Sequence, residues 1–279
     1  MEKIYKKTKE EIVALRQGGK ILGCILQELK TMVKPGIGTA ELEAHLVSEI
    51  KKAGGRPAFL YYPMGDGLVF PSALCASINN EVVHGTALPN RILKSGDIID
   101  LDIGMEWPID PELRKKLELP TNPHSQLGGY YTDTCLTVGV GKIGRDEKRL
   151  ISVTEESLYA GIKEAKVGNR LSDIGQAVQA VADRHGYGVV RDLVGHGVGY
   201  FAHEYPNVFN YTIPVNSREN LVLEEGMVIA IEPMFNLGTF EVDEADNGMT
   251  VVSADGSPSA HFEHSVAITK GGPLVITVA

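Results

Sequence analysis

The chain has 279 residues, of which 43% are hydrophobic, so it can bury a substantial core in one large domain or two closely packed ones. Its 36 acidic residues outnumber its 27 basic residues, and the net charge of -9 argues against a protein that binds nucleic acid. Every apolar run is much shorter than the roughly 20 residues that a membrane span needs, which argues against a membrane protein.

Two amphipathic helices are predicted at the start of the chain. The opening segment MEKIYKKTKEEIVALRQ is charged and periodic, unlike a secretory signal. Thr8 and Glu11 form a capping-box pattern before a helical stripe of apolar residues that stops at Pro35. Thr39 is predicted to cap the second helix, which stops at Gly54. The chain therefore opens with a helical hairpin.

A similar unit recurs in the second half of the sequence. Gly168 precedes a helical pattern that stops at Gly186, just as Gly36 precedes one that stops at Gly54, and the glycines are 18 positions apart in both copies. We predict two related halves that share one sheet, although chance similarity between two ordinary amphipathic helices is the alternative. The halves are about 1–140 and 141–279.

Strand-like runs follow each helical unit and predict an antiparallel sheet, so the expected fold class is α/β (α+β). The predicted strands are 98–103, 134–140, 189–194, 227–231, 250–252 and 265–269. Between the first two strands, the segment EWPIDPELRKKLELPTNPHSQ contains four prolines and a short charged helical stretch. We interpret this insertion, about 105–127, as an excursion from the tip of a hairpin.

Three cysteines occur in the chain, at positions 24, 75 and 135. Their odd number and the absence of CxxC spacing support neither a disulfide framework nor a thiolate zinc site. A reducing cytoplasm is the expected location.

Five side chains that can bind metal through oxygen or nitrogen lie in distinctive short segments. They are Asp102 in DLDIG, Asp133 in YTDT, His196 in GHGVG, Glu232 in IEPM and Glu263 in AHFEH. Four carboxylates in one pocket would need cations to neutralise them, and two dications would balance the charge. Metal ions about 3.5–4 Å apart activate a shared water and polarise a carbonyl, so the set predicts hydrolysis.

Each of these residues also has an ordinary interpretation. Asp100 and Asp102 lie on one face of their strand, so either could reach a metal, and a lone Asp102 could be a solvated turn carboxylate. If the excursion is a hairpin tip, Asp133 on the returning strand can meet Asp102 across the ladder. Glu263 shares a strand face with His261, and an exposed edge-strand carboxylate is the alternative there.

A dinucleotide-binding loop is the alternative interpretation of the glycine-rich segment around His196. Glycines on both sides let backbone and ligands approach closely, but the spacing is not that of a GxGxxG dinucleotide loop. Glu232 ends the apolar run MVIAI, where an unpaired buried carboxylate would be costly. A lone histidine is usually structural, so the company of Glu232 and Glu263 is what suggests a ligand role for His196.

With these residues in hand, the chain resembles the type I methionine aminopeptidases of the pita-bread fold family of metallopeptidases. The resemblance runs nearly end to end. It rests on the segments TKEEIVALRQGGKI, VKPGIGTAEL, SINNEVVHG, GDIIDLDIG, YYTDT, VGHGVG, HEYPNV, GMVIAIEPM and NGMTVVSADGSPSAHFEHSVAIT. It implies pseudo-symmetric halves with a mainly antiparallel sheet covered by helices. The spacing from His203 to Glu232 leaves no room for the extra helical domain of the type II class.

The resemblance also implies roles for individual residues. One metal would be bound by Asp102, Asp133 and Glu263, and the other by Asp133, His196, Glu232 and Glu263. His84 and His203 match substrate-contacting histidines that stabilise the tetrahedral intermediate, and Glu232 matches the residue credited with proton transfer. Ligation dominated by oxygen suits manganese, iron(II) or cobalt, with zinc as a further candidate.

The methionine pocket is less closely matched than the metal ligands. The implied substrate-binding residues are Phe59, Tyr62, Phe70, Cys75, His84, His203 and Met249. An enlargement at 63–69 alters the pocket wall, and Ala202 and Met249 stand where relatives can carry aromatic groups, which predicts a wider or softer pocket. The long 105–127 excursion is a candidate rim or lid.

Three other interpretations compete with this one. A proline-directed peptidase of the same fold would use the same metals, although such relatives usually carry an added amino-terminal domain. A non-catalytic pita-bread binding protein would have lost its metals, whereas every ligand position is intact here. An oxygenase built on His196 and His203 would leave Asp102 and the other carboxylates without purpose.

The expected partners follow from the resemblance. They are N-termini of nascent polypeptides or peptides, with chains emerging from ribosomes as the main source, although nothing in the sequence identifies a ribosome-docking patch. The expected protein is a cytoplasmic monomer that binds neither membrane nor nucleic acid.

Overall fold

The computed structural model describes residues 3–65, 67–117 and 119–279. The helices in these ranges are Lys9–Met32 (α1), Thr39–Ala53 (α2), Pro111–Lys116 (α3), Arg145–Glu164 (α4) and Leu171–His185 (α5). None of them combines the length and the apolarity that crossing a bilayer requires.

Strands make up most of the remaining regular structure of the described ranges. They are Arg56–Pro57 (β1), Pro63–Gly65 (β2), Leu68–Val69 (β3), Leu74–Ile78 (β4), Glu81–Val83 (β5), Ile98–Trp107 (β6), Tyr130–Gly139 (β7), Gly188–Val189 (β8), Gly195–Gly197 (β9), Glu204–Val208 (β10), Val228–Ile231 (β11), Met234–Asn236 (β12), Val242–Glu244 (β13), Val251–Ser253 (β14), Ser259–Thr269 (β15) and Gly272–Val275 (β16).

One antiparallel sheet dominates the fold, and its main path runs β1-β6-β7-β15-β11-β9-β10. β6 and β7 pair along their whole lengths, from Ile98 opposite Gly139 to Trp107 opposite Tyr130. β15 then pairs with β7 on one side and with β11 on the other. The long central strands β6, β7 and β15 therefore lie side by side in the middle of the sheet.

Helices cover one face of this sheet, with α1 packed on β6 and β7 and α4 packed on β15. Side chains alternate between the faces of a strand, so Leu101, Leu136 and Phe262 enter the hydrophobic core with the helices. Their immediate neighbours, such as Asp100 and Asp102, lie on the opposite face. The predicted α/β (α+β) class with a helix-covered antiparallel sheet is confirmed.

The predicted first cap is present, but the second differs from its prediction. Thr8 accepts a hydrogen bond from the Glu11 backbone N–H, and the Glu11 carboxylate accepts one from Thr8. In α2 the cap residue is Gly38, and Thr39 is already the first helical residue. The buried Thr39 hydroxyl donates instead to the Ala87 carbonyl at 2.6 Å. That tertiary hydrogen bond overrides the local capping preference of threonine.

Strand boundaries differ most where tertiary contacts decide the conformation. β6 extends to Trp107, beyond its predicted end at Ile103, because Glu106 is buried there and paired with Arg56 at 2.9 Å. The predicted strand 189–194 shrinks to β8, and its remaining residues 190–194 run as irregular chain.

The two helical units share backbone features that support the proposed duplication. Gly36 and Gly168 both have φ of +92°, and both donate to a leucine carbonyl, Leu93 and Leu223, before the helix begins. Gly54 and its counterpart in the second unit both end their helix in the left-handed region. Such positions favour glycine because a side chain is strained there.

A buried ion pair ties the N-terminal segment to the first residue of β10. Lys7 and Glu204 are 4% and 8% exposed, and the Lys7 ammonium contacts the Glu204 carboxylate. The same carboxylate accepts backbone N–H groups of Tyr200 and Phe201. Burial lowers the pKa of Lys7, while Glu204 opposes that change. The pair therefore fixes the loop that carries His203.

Lys7→Met is expected to lower the free energy of unfolding by about 3–5 kcal/mol, because it leaves the Glu204 carboxylate buried without a counter-ion. Adding Glu204→Gln should restore most of this loss, since an amide oxygen can still accept the two backbone hydrogen bonds. Urea unfolding of the metal-free single and double variants measures both values. Equal destabilisation of the two variants would contradict this account of the pair.

Candidate metal centre

Three predicted ligands lie on adjacent central strands, on the face that the helices leave free. Cys135 of β7 pairs with Asp102 of β6 on one side and with Glu263 of β15 on the other. Asp133 lies two residues before Cys135, so its side chain shares the same face. Sheet register thus gathers three carboxylates that are far apart in sequence.

The other two predicted ligands come from the neighbouring strands β9 and β11. His196 lies in β9 between Gly195 and Gly197, and Glu232 directly follows β11. A Cβ on Gly195 would lie 2.4 Å from the Ala230 carbonyl oxygen, so the glycine is needed for the strands to approach. The Nε2 atom of His196 lies 3.4 Å from Oε1 of Glu232.

All five predicted ligands line one cavity of about 420 Å³. Potential ligand atoms of Asp133, His196 and Glu263 lie within 4.8 Å of one another. Asp102 and Glu232 complete the cavity wall, with 8% of the Asp102 residue exposed. The structure therefore brings together the five side chains that the sequence singles out.

Burial makes the ionised form of these carboxylates costly without a cation. It raises the pKa of Asp102 to about 7, and it raises the pKa values of Asp133, Glu232 and Glu263 well above their usual range. Repulsion between neighbouring carboxylates adds to the rise for Asp133, Glu232 and Glu263.

The donor atoms present fit divalent metal ions. Asp102, Asp133, Glu232 and Glu263 each have a buried oxygen without a hydrogen-bond partner among the described residues. Burial also lowers the pKa of His196 to about 4, which leaves its imidazole neutral and able to donate a lone pair at neutral pH. Unpaired buried carboxylates are costly unless cations neutralise them, so this donor set suits metal binding.

The two predicted substrate histidines face the same cavity from different loops. His84 has φ of +58°, a strained conformation for a histidine, and its ring hydrogen-bonds the backbone of Met249. Exposed His203 lies at the cavity, where its Nδ1 atom is 2.7 Å from the Tyr62 hydroxyl. The rings of His203 and His196 are 4.4 Å apart, so His203 is adjacent to the ligand set.

Tyr62→Phe is expected to lower kcat by about 10-fold, with a smaller change in KM, because it removes the only hydroxyl contact recorded for the His203 ring in the described structure. Steady-state kinetics on a Met-Ala-Ser peptide measure this split. Tyr61→Phe changes an exposed neighbour and serves as the matched control. An unchanged kcat in Tyr62→Phe would show that the contact does not orient His203.

The predicted substrate pocket is only partly matched by the cavity lining. Phe59, Tyr62, Phe70 and Cys75 line the cavity, together with Met64 from the enlarged 63–69 segment. Met249 does not line it and reaches the site only through its backbone contact with His84, while Ala202 is buried in a neighbouring cluster. Asp66, within the enlargement, lies outside the described residues.

Several lining residues were not predicted from the sequence. They are Val83, Asp192, Leu193, Val194, Met234 and His261. Three of them, Asp192, Leu193 and Val194, lie in the segment 189–194 just before GHGVG, for which the sequence predicts a strand. Its irregular backbone instead places these residues at the cavity.

The 105–127 excursion lies beside the cavity rather than in its lining. Its backbone is held by Glu106, whose carboxylate accepts hydrogen bonds from residues including Leu127 and Gly129. His124 lines a second groove, whose wall shares Tyr62 with the main cavity. The rim or lid role stays a prediction, and Glu118 of this segment lies outside the described residues.

Comparisons with known proteins match this geometry. The sequence pattern of metallopeptidase family M24 covers residues 13–108 and 124–270. A methionine aminopeptidase of Clostridium perfringens is 42% identical over 277 residues, which are 99% of each chain. Methionine aminopeptidase 1 of Bacillus subtilis is 42% identical, covering 98% of this chain and 99% of the relative.

A solved structure agrees with these sequence matches. The crystal structure of a methionine aminopeptidase from Thermotoga maritima superposes with a TM-score of 0.85 at 35% identity. The match covers 99% of this chain and 100% of that one. The similarity therefore spans the whole fold, including every strand that carries a candidate ligand.

Proposed function

The chain belongs to metallopeptidase family M24, and from that membership we propose that it removes the N-terminal methionine from proteins and peptides by hydrolysis. It is a metalloaminopeptidase and binds divalent metal. The single observation that carries the proposal is the convergence of five potential metal ligands on one cavity. Identity of 42% over 99% of the chain to a methionine aminopeptidase favours this activity over that of a proline-directed peptidase.

Two divalent ions are proposed, with manganese, iron(II) or cobalt favoured and zinc as a further candidate. The proposed ligands of one are Asp102, Asp133 and Glu263, and those of the other are Asp133, His196, Glu232 and Glu263. Asp133 and Glu263 would be shared between the ions. Their unpaired buried oxygens support this assignment. When bound, the ions would polarise the scissile carbonyl and lower the pKa of water between them.

The chain's own groups supply the remaining chemistry. Glu232 is proposed to take the proton from the attacking water and return it to the leaving amine, because it faces the cavity and its carboxyl pKa is raised by burial. His84 and His203 are proposed to donate hydrogen bonds to the oxygen that becomes negative in the transition state. The Tyr62 hydroxyl would hold the ring of His203 for this task.

The substrate pocket is proposed to hold the methionine side chain among Phe59, Phe70 and Cys75. A thioether packs well against aromatic rings, which suits this lining. Met249 is proposed to contribute through its backbone contact with His84. N-termini of nascent chains in the cytoplasm are the proposed natural substrates, acted on by a monomer, and docking to ribosomes is part of the same proposal.

A direct assay tests the activity. The metal-loaded protein should release methionine from Met-Ala-Ser and leave X-Pro peptides intact. Cleavage of X-Pro peptides alone would favour the proline-directed alternative. Failure to bind any dication would favour the non-catalytic binding protein.

Shortening the 105–127 excursion to a tight turn is expected to raise KM for peptides of six or more residues by about 10-fold and to leave tripeptides unaffected. The physical reason is that His124 lines only the outer groove beyond Tyr62, where a longer substrate would extend. Kinetics on peptides of several lengths measure the effect. Identical KM changes at all lengths, or none at any, would remove the rim proposal.

A further inference from the structure

A second triangle of potential ligands lies one step along the same three strands. Asp100 lies two residues before Asp102 on β6, and His261 lies two residues before Glu263 on β15. Cys135 lies two residues after Asp133 on the antiparallel strand β7 between them. Since side chains two apart share a strand face, the three are displaced in the same direction along the sheet.

The members of this triangle are deeply buried and close together. Asp100, Cys135 and His261 are each 2% exposed, and their potential ligand atoms lie within 4.8 Å of one another. The Nδ1 atom of His261 is 3.4 Å from Oδ2 of Asp100. No cation from the described part of the chain neutralises Asp100.

The polar atoms of the triangle lack partners of good hydrogen-bond geometry. Among the described residues, neither oxygen of Asp100 and neither ring nitrogen of His261 has one. The nearby Thr137 hydroxyl is already used, because it donates to the His261 carbonyl oxygen at 3.0 Å. The Cys135 thiol and the Thr137 hydroxyl also lie close enough to interact with Asp100. These contacts leave the four atoms poorly satisfied in the interior, which is costly, so a ligand that satisfies them is expected.

We propose that Asp100, Cys135 and His261 form a further metal site, distinct from the carboxylate centre, that binds a borderline-soft dication such as Zn²⁺. One carboxylate, one thiolate and one neutral imidazole balance the two charges of the ion. Zinc sites use these three donor types in tetrahedral geometry, with donor atoms about 3.5 Å apart. The potential ligand atoms lie within 4.8 Å of one another, so each must move only a short distance to reach that value.

The donor chemistry separates this site from its neighbour. The five-ligand centre offers carboxylate oxygens and one imidazole, which suit harder ions, whereas the thiolate of Cys135 selects softer ones. His261 lines the main cavity, so an ion can enter from there. The two sites can therefore hold different metals at the same time.

The geometry of His261 also links this site to Glu232. A histidine that binds metal through Nδ1 carries its proton on Nε2, and this atom lies 3.7 Å from Oε2 of Glu232. The imidazole would then donate toward that carboxylate and make His261 a positioning residue for it. This consequence rests on the proposed function, whereas the metal site itself does not.

Titration of the full-length, chelator-stripped protein with Co²⁺ tests the site independently of activity. Coordination of Co²⁺ by a thiolate gives an intense near-ultraviolet charge-transfer band that carboxylate and imidazole ligands do not give. The expected result is this band together with about three equivalents of bound metal, two in the carboxylate centre and one in the new site. Zn²⁺ should displace the ion that gives the band.

Three variants assign the band to its residues. Cys135→Ser should abolish it and lower the bound metal by about one equivalent, and His261→Gln should weaken or abolish it. Cys75→Ser is the matched control, since Cys75 is also buried beside the carboxylates but is not part of the triangle. Its band and stoichiometry should be unchanged. Circular dichroism and retention of the other two equivalents verify that each variant is folded.

Several outcomes would overturn the proposal. A wild-type protein without the band at saturating Co²⁺ would show that Asp100 and His261 are simply a buried pair. A band that survives Cys135→Ser, or disappears in Cys75→Ser, would place the thiolate elsewhere. None of these results bears on peptide cleavage, so failure here and failure of the proposed function are distinguishable.

Discussion

Asp133→Asn is expected to lower kcat/KM for methionyl peptides by about 10³-fold or more, because a shared metal ligand is worth several kcal/mol of transition-state stabilisation. The same substitution should raise the melting temperature of the metal-free protein. Both effects come from the carboxylate cluster, in which burial and the neighbouring Asp102 raise the pKa of Asp133. An amide carries no charge there and can donate hydrogen bonds to the remaining carboxylates.

A loss of activity together with a gain in the stability of the metal-free protein distinguishes a metal ligand from a structural residue. Loss of a purely structural contact would destabilise the protein with or without metal. Asp192→Asn provides the matched control, because Asp192 lines the same cavity but is not a proposed ligand. It should leave the metal content unchanged. Metal analysis, kinetics and thermal melts of both variants test the prediction, and a metal-free Asp133→Asn protein less stable than wild type would contradict it.

The stabilisation of the protein by bound metal is expected to grow between pH 6.5 and pH 8. In the metal-free protein, burial raises the pKa of Asp102 to about 7 and those of Asp133, Glu232 and Glu263 well above their usual range. The contribution of these carboxyl groups to the free energy of unfolding is fully present below about pH 4, which is their pKa in the unfolded chain. It is lost as the pH rises through their higher pKa values in the folded protein. Bound cations remove this loss because they stabilise the ionised carboxylates.

The buried histidines have the opposite sign and define the lower limit of this window. Burial lowers the pKa values of His196 and His261 to about 4. The contribution of these histidines to the free energy of unfolding is fully present above about pH 6.5, which is their pKa in the unfolded chain. It is lost as the pH falls toward their folded pKa of about 4. Above pH 6.5 these two histidines therefore do not oppose the trend set by the carboxylates.

Thermal melts with and without saturating Mn²⁺ measure this difference at each pH. For each proton that metal binding displaces from the cluster, the stabilisation by metal rises by about 1.4 kcal/mol per pH unit. In a chain of this size, each kcal/mol of stabilisation raises the melting temperature by roughly 2–4 °C. A difference that stays constant or narrows as the pH rises would show that the carboxylates are not coupled to metal binding.

Much of the fold could be predicted because local patterns and tertiary structure agree. The capping box at Thr8 and the left-handed glycines at 54 and 186 determine helix ends through backbone geometry, which sequence reveals directly. Thr39 and the long strand β6 could not be predicted in detail. Their conformations depend on Ala87 and Arg56, which become neighbours only in the folded chain.

The proposed metal ligands could be selected from the sequence because each lies in a distinctive short segment, such as the apolar run before Glu232 and the glycines around His196. The other side chains that lie beside these ligands were harder to predict, since their positions depend on sheet register. Knowing that Cys135 lies opposite both Asp102 and Glu263 places Asp100 and His261 in one triangle. That pairing is set by contacts between distant strands, so alternation along a single strand could not reveal it.

The pocket wall shows the same limit. Phe59 and Phe70 line the cavity as expected, whereas Met249 lies outside its lining. The direction of a loop side chain is set by the turn of its backbone. Here the Asn247 side chain accepts a hydrogen bond from the Met249 backbone N–H and so fixes that turn. Sequence similarity places such a residue near the site without determining which way it faces.

The central claim is that distant acidic side chains meet one imidazole to hold neighbouring divalent ions. A crystal structure of the protein grown with Mn²⁺, with anomalous scattering used to locate the ions, tests this most directly. The expected result is two ions about 3.5–4 Å apart, with Asp133 and Glu263 contacting both. Anomalous peaks remote from these side chains, or none in the cavity at saturating Mn²⁺, would contradict the account.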